Sequence, residues 1–463
     1  MPPSDPHRHT HPEPGGHGEV FPRLEVAQAV AASQRGEERR EQWAGGLWGL
    51  GAALLVLGLP SAYYVRPMGE LLALDGLGRT PIGLYSLAVQ FVRFAGGLGL
   101  EDAAFAVSAI FYGGSWMAML ALLAQLGLPR RLALIVTAVV LSSPLAWMGA
   151  SLPLDFTAGL FGATWLATQL LRPSPGKGYQ FLWRVGSGVL LAFLLCPRNL
   201  WLVLPACWAV AREGRRRGQP VLAPLALLLV IAVCVAITLA PQPEPWAFLG
   251  SLLVPTTLGS ESWAEHLLYW VVALAALLPA LLSLVASRRE PEEAPPPTWM
   301  LAWLALAPLA LVGGGIETGP RGAFLLPLAA LGLGDLLHRR LPQPRWLLIG
   351  AALVTGHALL AMATTMSLER RDPHAPWLST AHRALEAEDG IVTTSLPHAW
   401  LASQRDSKAV RLVDAAGNPL WITQQAEATQ RRWVRDAAGG ALAPEGTDSA
   451  WLLEDGGLRS TAP

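Results

Sequence analysis

Four ionisable residues stand out because each interrupts or borders an apolar stretch: Asp75, Asp155, Arg198 and Arg321. Asp75 lies in Asp75-Gly76-Leu77-Gly78-Arg79, Asp155 follows Pro153-Leu154, Arg198 sits in Cys196-Pro197-Arg198-Asn199, and Arg321 follows Gly319-Pro320 near Glu317. A carboxylate in such a place can act as a general base on a hydroxyl. An arginine can clamp a phosphate through paired hydrogen bonds. Ionisable groups at membrane depth are costly and default to a functional reading. The alternative for each residue is an ordinary loop charge at the headgroup boundary. The first long loop also carries Glu70, Arg79, Arg93, Glu101 and Asp102. No Walker loop, HExxH, GxSxG or paired CxxC occurs in the chain.

The elements that must position these groups are apolar segments. Of 463 residues, 52% are apolar and only 15% are charged. Soluble chains carry about 25% charge, so the composition predicts an all-α polytopic membrane bundle. Segments of about 20 apolar residues are sought. They are Trp43–Val65, Ala103–Leu126, Leu132–Ala150, Leu154–Leu171, Val221–Ala240, Leu267–Ala286, Trp299–Gly315, Ala323–Leu337 and Trp346–Met366. Val185–Val210 is apolar but has Arg184 on one side and Arg212 and Arg215–Arg217 on the other. With proline and arginine in its middle it reads as a hairpin of two short helices, Arg198 at the outer tip. The rival reading is one long span. The count is then about eleven helices. Pro81–Leu100, with Arg93 and several glycines, reads as a helix lying against the outer face.

Orientation follows from basic residues in short loops. With the N-terminus inside, 14 of the 19 basic residues between Trp43 and Met366 fall on the cytoplasmic side. Arg66, Arg79, Arg93, Arg198 and Arg321 fall outside. The expectation is a multi-pass inner (cytoplasmic) membrane protein, N-terminus cytoplasmic and C-terminus extracytoplasmic, with the bilayer as a partner. Zero net charge argues against nucleic acid. The hydrophilic start predicts no cleavable signal peptide. Cys196, Cys207 and Cys234 lie in apolar segments, which fits small core residues rather than a disulfide framework.

Three regions result: a disordered cytoplasmic tail over 1–42, a transmembrane domain over 43–366 with an outer loop over 66–102, and a small extracytoplasmic α/β domain over 367–463. His7, His9, His11 and His17 of the tail are read as disordered rather than metal-binding. In the last region Trp377–Glu388 and Trp421–Arg435 read as helices. Ile391–Ser395, Ala409–Val413 and Trp451–Leu453 read as strands.

The order of these pieces resembles the GT-C superfamily of membrane glycosyltransferases, which take sugars from polyprenyl-phosphate carriers. Asp75-Gly-Leu-Gly-Arg79-Thr-Pro81-Ile-Gly-Leu-Tyr85 is similar to that family's loop with a catalytic aspartate and a following proline-tyrosine helix. Pro144 through Asp155 resembles its proline, small-residue run and acidic residue. Gly188 through Pro197-Arg198 looks like its Gly…Arg-Pro element with the last two exchanged, and Arg321-Gly-Ala-Phe-Leu-Leu-Pro327 its Arg-Tyr…Pro element. The collinear order spans about residues 43 to 340. Two departures are that Asp75 has no acidic neighbour, and that Ala323-Phe324 follow the arginine where tyrosine is usual.

The resemblance implies sugar transfer from a polyprenyl-phosphate-linked donor to an unidentified acceptor at the outer face. Asp75 would be the catalytic base. Arg79, Arg198 and Arg321 would hold the phosphate or substrate. Asp155 would either help hold a divalent metal or orient an arginine. No other cofactor is implied. The alternatives are a transporter or flippase for a lipid-linked or anionic substrate, or a non-catalytic membrane assembly protein. A transporter would want a second broken helix in an inverted repeat, and no such repeat is visible in the sequence.

Overall fold

A computed structural model describes residues 46–51, 74, 83–150, 155–172, 178–216, 222–240, 263–289, 299–308, 322–340 and 343–368. It also describes the short strands between 391 and 460. The chain divides into two compact units, Met1–Trp48 and Gly49–Pro463. Residues 46–368, where described, are almost entirely helical: α1 Gly83–Gly96, α2 Leu100–Gln125, α3 Arg130–Leu141, α4 Pro144–Ala150, α5 Phe156–Leu171 and α6 Gly178–Leu195. After a 3-10 turn at Pro197–Leu202 come α7 Val203–Arg216, α8 Leu222–Leu239, α9 Trp263–Arg289 and α10 Trp299–Leu304. A second 3-10 turn, Gly322–Leu325, leads to α11 Leu326–Arg340 and α12 Gln343–Leu368.

Local chemistry explains the ends. Glu101 and Asp102 occupy the first turn of α2, where carboxylates oppose the helix dipole. That helix stops where Gly127 takes a positive φ of 72°, and Pro129 then leads directly into α3. At 26 residues α2 is about 39 Å long. Among the described residues it is the one helix both long and apolar enough to cross a bilayer; shorter apolar stretches lie in α6, α8, α9, α11 and α12. At 14 residues α1 is about 21 Å long, short of a crossing.

Some expected spans differ in detail. Leu132–Ala150 is not one helix: α3 ends at Leu141 and α4 restarts at Pro144. The proline has no N–H to continue α3 but suits a first helical position. The first arm of the hairpin starts at Gly178, seven residues before the expected Val185, so Arg184 lies within α6. The expected span Trp43–Val65 is helical over residues 46–51, and its remainder lies outside the described residues. Trp299–Gly315 is helical over α10, with residues 309–315 outside them.

The core is mainly apolar, with a few hydroxyl and amide groups among the hydrocarbon side chains. The centre holds α2, α5 and α6, with α11 against α3 and α9. Buried there are Ser108, Ser115, Thr157, Thr164, Thr168 and Gln169. Thr164 Oγ1 donates to Leu160 O at 2.8 Å and Thr168 Oγ1 to Thr164 O at 2.9 Å, so these hydroxyls are satisfied within α5. Tyr112 OH donates to Leu141 O at 2.7 Å, tying α2 to the end of α3. In α11, Gly332 lies against the backbone of α9 at Ala280, next to the intrahelical Pro279. Three residues on, Asp335 accepts a 2.6 Å hydrogen bond from Ser283 Oγ. The outward faces are apolar: Leu228, Leu229 and Val233 on α8, Leu274, Leu278 and Leu282 on α9, and Leu348 and Leu359 on α12 are exposed.

Toward the C-terminus the chain forms short strands: β1 Ile391–Thr393, β2 Val410–Val413, β3 Pro419–Leu420, β4 Trp433–Arg435, β5 Leu442–Pro444, β6 Trp451–Glu454 and β7 Gly457–Ser460. β1 pairs parallel with β2, Ile391 opposite Val410; the β2–β3, β4–β5 and β6–β7 pairs are antiparallel. One expectation is corrected. Trp433-Val434-Arg435 is strand rather than the end of a helix Trp421–Arg435, and Val434 faces Ala443 of β5. An aromatic and a β-branched residue favour the pleated conformation once a partner strand is at hand. Residues 421–432 and the expected helix Trp377–Glu388 lie outside the described residues.

Candidate functional site

The site is built on the break between α6 and α7. Cys196 is extended, with φ −147° and ψ 108°, and Pro197 opens the 3-10 turn. Pro197 lacks the N–H that would continue α6. Asn199 then fastens the turn: its Nδ2 donates to Gly159 O of α5 at 2.9 Å and to Ala192 O of α6 at 3.2 Å. The side chain is fully enclosed, with Asn199 only 2% exposed. Buried polar groups that are satisfied in this way specify one arrangement of their neighbours.

Two glycines of α5 allow the approach. A Cβ on Gly159 would stand 3.1 Å from Cys196 Cβ, and one on Gly162 would stand 2.7 Å from Ala192 Cα. Only hydrogen fits at Gly162, so α5 and α6 meet backbone to backbone. This contact carries Arg198 to the start of α5, where Asp155 is the N-cap residue. The Asp155 carboxylate does not cap its own helix. It faces the hairpin instead: Arg198 Nη1 lies 3.8 Å from Asp155 Oδ1, each side chain 23% exposed. At that distance the arginine and aspartate attract as charges without a short hydrogen bond.

Of the five residues singled out from the sequence, Asp155 and Arg198 are thus neighbours. Asp75, Arg79 and Arg321 lie outside the described residues. Their flanks are described. Leu74, directly before Asp75, is buried, and its carbonyl accepts a 2.6 Å hydrogen bond from Gln90 Nε2 of α1. Gly83, four residues after Arg79, has φ +89°, and a Cβ there would lie 2.6 Å from Leu194 O. So the start of α1 packs on the last turn of α6, two residues before Cys196. Tyr85 anchors α1 to α2, donating to Ala104 O at 3.2 Å and sharing a 3.0 Å hydrogen bond with Ser108 Oγ. After Arg321, a Cβ on Gly322 would meet Leu145 Cδ2 of α4 at 3.0 Å. Trp303 Nε1 donates to Phe324 O at 2.8 Å, so α10 holds this second turn in place.

As a cation site, Asp155 has an unsuitable first neighbour, because a guanidinium competes with a metal for the same carboxylate. Among the described residues no three His, Cys, Asp or Glu side chains gather. Asn199 and Gly83 have no role in the sequence reading. The available signal was the asparagine directly after Pro197-Arg198, a short polar residue inside an apolar run.

Comparison with models of known protein families, with curated proteins and with solved structures gives no match.

Proposed function

We propose that this chain is a multi-pass membrane glycosyltransferase of GT-C type, moving a sugar from a polyprenyl-phosphate carrier to an acceptor at the outer face. Membrane residence is supported by the long apolar helix α2 and by the leucine and valine side chains exposed on the outward faces of α8, α9 and α12, which suit hydrocarbon as solvent. The proposed orientation keeps the N-terminus inside and the C-terminal region outside. The observation that carries the functional reading is the Asp155–Arg198 pair, held at the hairpin break by Asn199. Gly83, at the start of α1, packs against that end of α6.

In the proposed reaction Asp75 takes the proton of the acceptor hydroxyl. The oxygen forms a bond to the anomeric carbon of the sugar. The bond from that carbon to phosphate oxygen breaks, and its electron pair leaves with polyprenyl phosphate. Arg198 and Arg321, together with Arg79, stabilise the charge on that phosphate. Asp155 is a positioning residue that keeps Arg198 aimed; it is read here as an arginine partner rather than a metal ligand.

The test uses the full chain in lipid vesicles, given radiolabelled polyprenyl-phosphate sugars and stripped envelope membranes as the acceptor source. A labelled glycoconjugate and released polyprenyl phosphate are expected. Asp75→Asn should lower the rate by about 10²- to 10⁴-fold while elution and thermal unfolding stay unchanged. Label that crosses the vesicle wall with no covalent product would overturn transfer in favour of transport.

A further inference from the structure

A second feature lies at the opposite end of α6 from Arg198. The end of α5, the first turns of α6 and the start of α8 enclose a cavity of about 890 Å³. Among the described residues its polar rim is formed by Arg172, Gln180, Arg184 and Ser187. Arg184 is fixed there. Its Nη2 donates to the Arg172 carbonyl at 3.2 Å, and its guanidinium carbon stands 5.8 Å from the centre of the Phe181 ring. Two guanidinium groups at one mouth attract an anion and can offer it several hydrogen-bond donors.

The rest of the wall is hydrocarbon. Leu190 of α6 and Ala226, Leu227 and Val230 of α8 line it. The wall runs on into the exposed apolar face of α8 at Leu229 and Val233. Gly186 faces Leu227 of α8, where a Cβ would stand at an ordinary contact distance of 3.6 Å from Leu227 Cδ1. Trp183, 78% exposed beside the rim, is the residue type that settles at a membrane–water boundary. A paired cationic mouth above an apolar trough matches one chemistry: an anionic head on a hydrocarbon chain. The volume lies within the roughly 300–1,000 Å³ of small-molecule sites. Basic pockets between helices on the cytoplasmic side are suited to lipid headgroups.

We infer that this cavity is a binding site for an anionic phospholipid of the inner leaflet, with its phosphate between Arg172 and Arg184 and one acyl chain along the α6–α8 trough. The inference rests on the proposed membrane orientation and is independent of sugar transfer.

Native mass spectrometry of the full chain in detergent, with phosphatidylglycerol or phosphatidylcholine added at equal concentration, tests it. Phosphatidylglycerol should be retained about tenfold more than phosphatidylcholine. The double change Arg172→Gln, Arg184→Gln should bring retention down to the phosphatidylcholine level. Arg172→Gln alone, at an exposed position, should give an intermediate value and serves if the double variant does not fold. Ala226→Trp, which fills the trough and spares both arginines, should also lower retention. Equal retention of the two lipids, or indifference to the arginine changes, would overturn the site. Displacement by inorganic phosphate at the lipid's own concentration would show a simple anion site and overturn the lipid assignment. Sugar transfer is not read in this experiment, so its failure leaves the proposed activity to its own test.

Discussion

Replacing Asp155 and Arg198, singly and together, measures the contact on which the site depends. Two unit charges 3.8 Å apart attract by about 4 kcal/mol at an effective dielectric of about 20 and by about 1 kcal/mol in bulk water. Both side chains are 23% exposed, so water reaches part of the pair. Desolvation and side-chain ordering offset much of the attraction. The separation also exceeds the roughly 2.7–2.9 Å of a charge-assisted hydrogen bond, which removes that contribution. A net coupling of about 1 kcal/mol follows. Asp155→Asn and Arg198→Gln should each destabilise, and the double variant should be less destabilised than their sum by about that amount. Unfolding by sodium dodecyl sulfate in mixed micelles gives the three free energies. Raising the salt to 1 M, where screening acts within about 3 Å, should shrink the coupling. Additivity within about 0.3 kcal/mol, or a coupling unchanged by salt, would refute the pairing as an electrostatic contact.

Asn199→Ala removes two enclosed hydrogen bonds and should cost about 1–3 kcal/mol, read as a lower unfolding midpoint. If Asn199 aims Arg198, the same variant should lose transfer rate more than donor binding. Gly162→Leu forces a side chain into the Ala192 backbone and should cost about 1–3 kcal/mol or more; Gly186→Ala, which meets only ordinary contact, should change the midpoint little. Trp303→Phe deletes the donor to Phe324 O while keeping most of the buried ring. A loss of about 1–2 kcal/mol is expected by the same unfolding assay.

The helical character of the body was legible because long apolar runs with few charges leave the backbone few ways to satisfy its own hydrogen bonds. The break at Pro197 and the restriction of α1 to a short helix were legible too, since proline and length are local properties. The division of Leu132–Ala150 at Pro144 was readable in principle, yet hydropathy averaged over the window hid it. Helix was expected through Trp433, but strand formed because pairing with Leu442–Pro444 is a long-range event that local pattern does not contain.

From its sequence alone the chain determined where apolar helices start and stop and which rare charges interrupt them. Which of those charges would meet was decided in three dimensions. Asp155 could have capped α5 or held a cation on sequence grounds, and it faces Arg198, 43 positions away, in the folded chain. The physical reason is that periodicity assigns a residue to a helix face but does not choose that face's partner. Here the choice depends on Gly159 and Gly162 letting two backbones touch, and on one enclosed asparagine bonding to both helices.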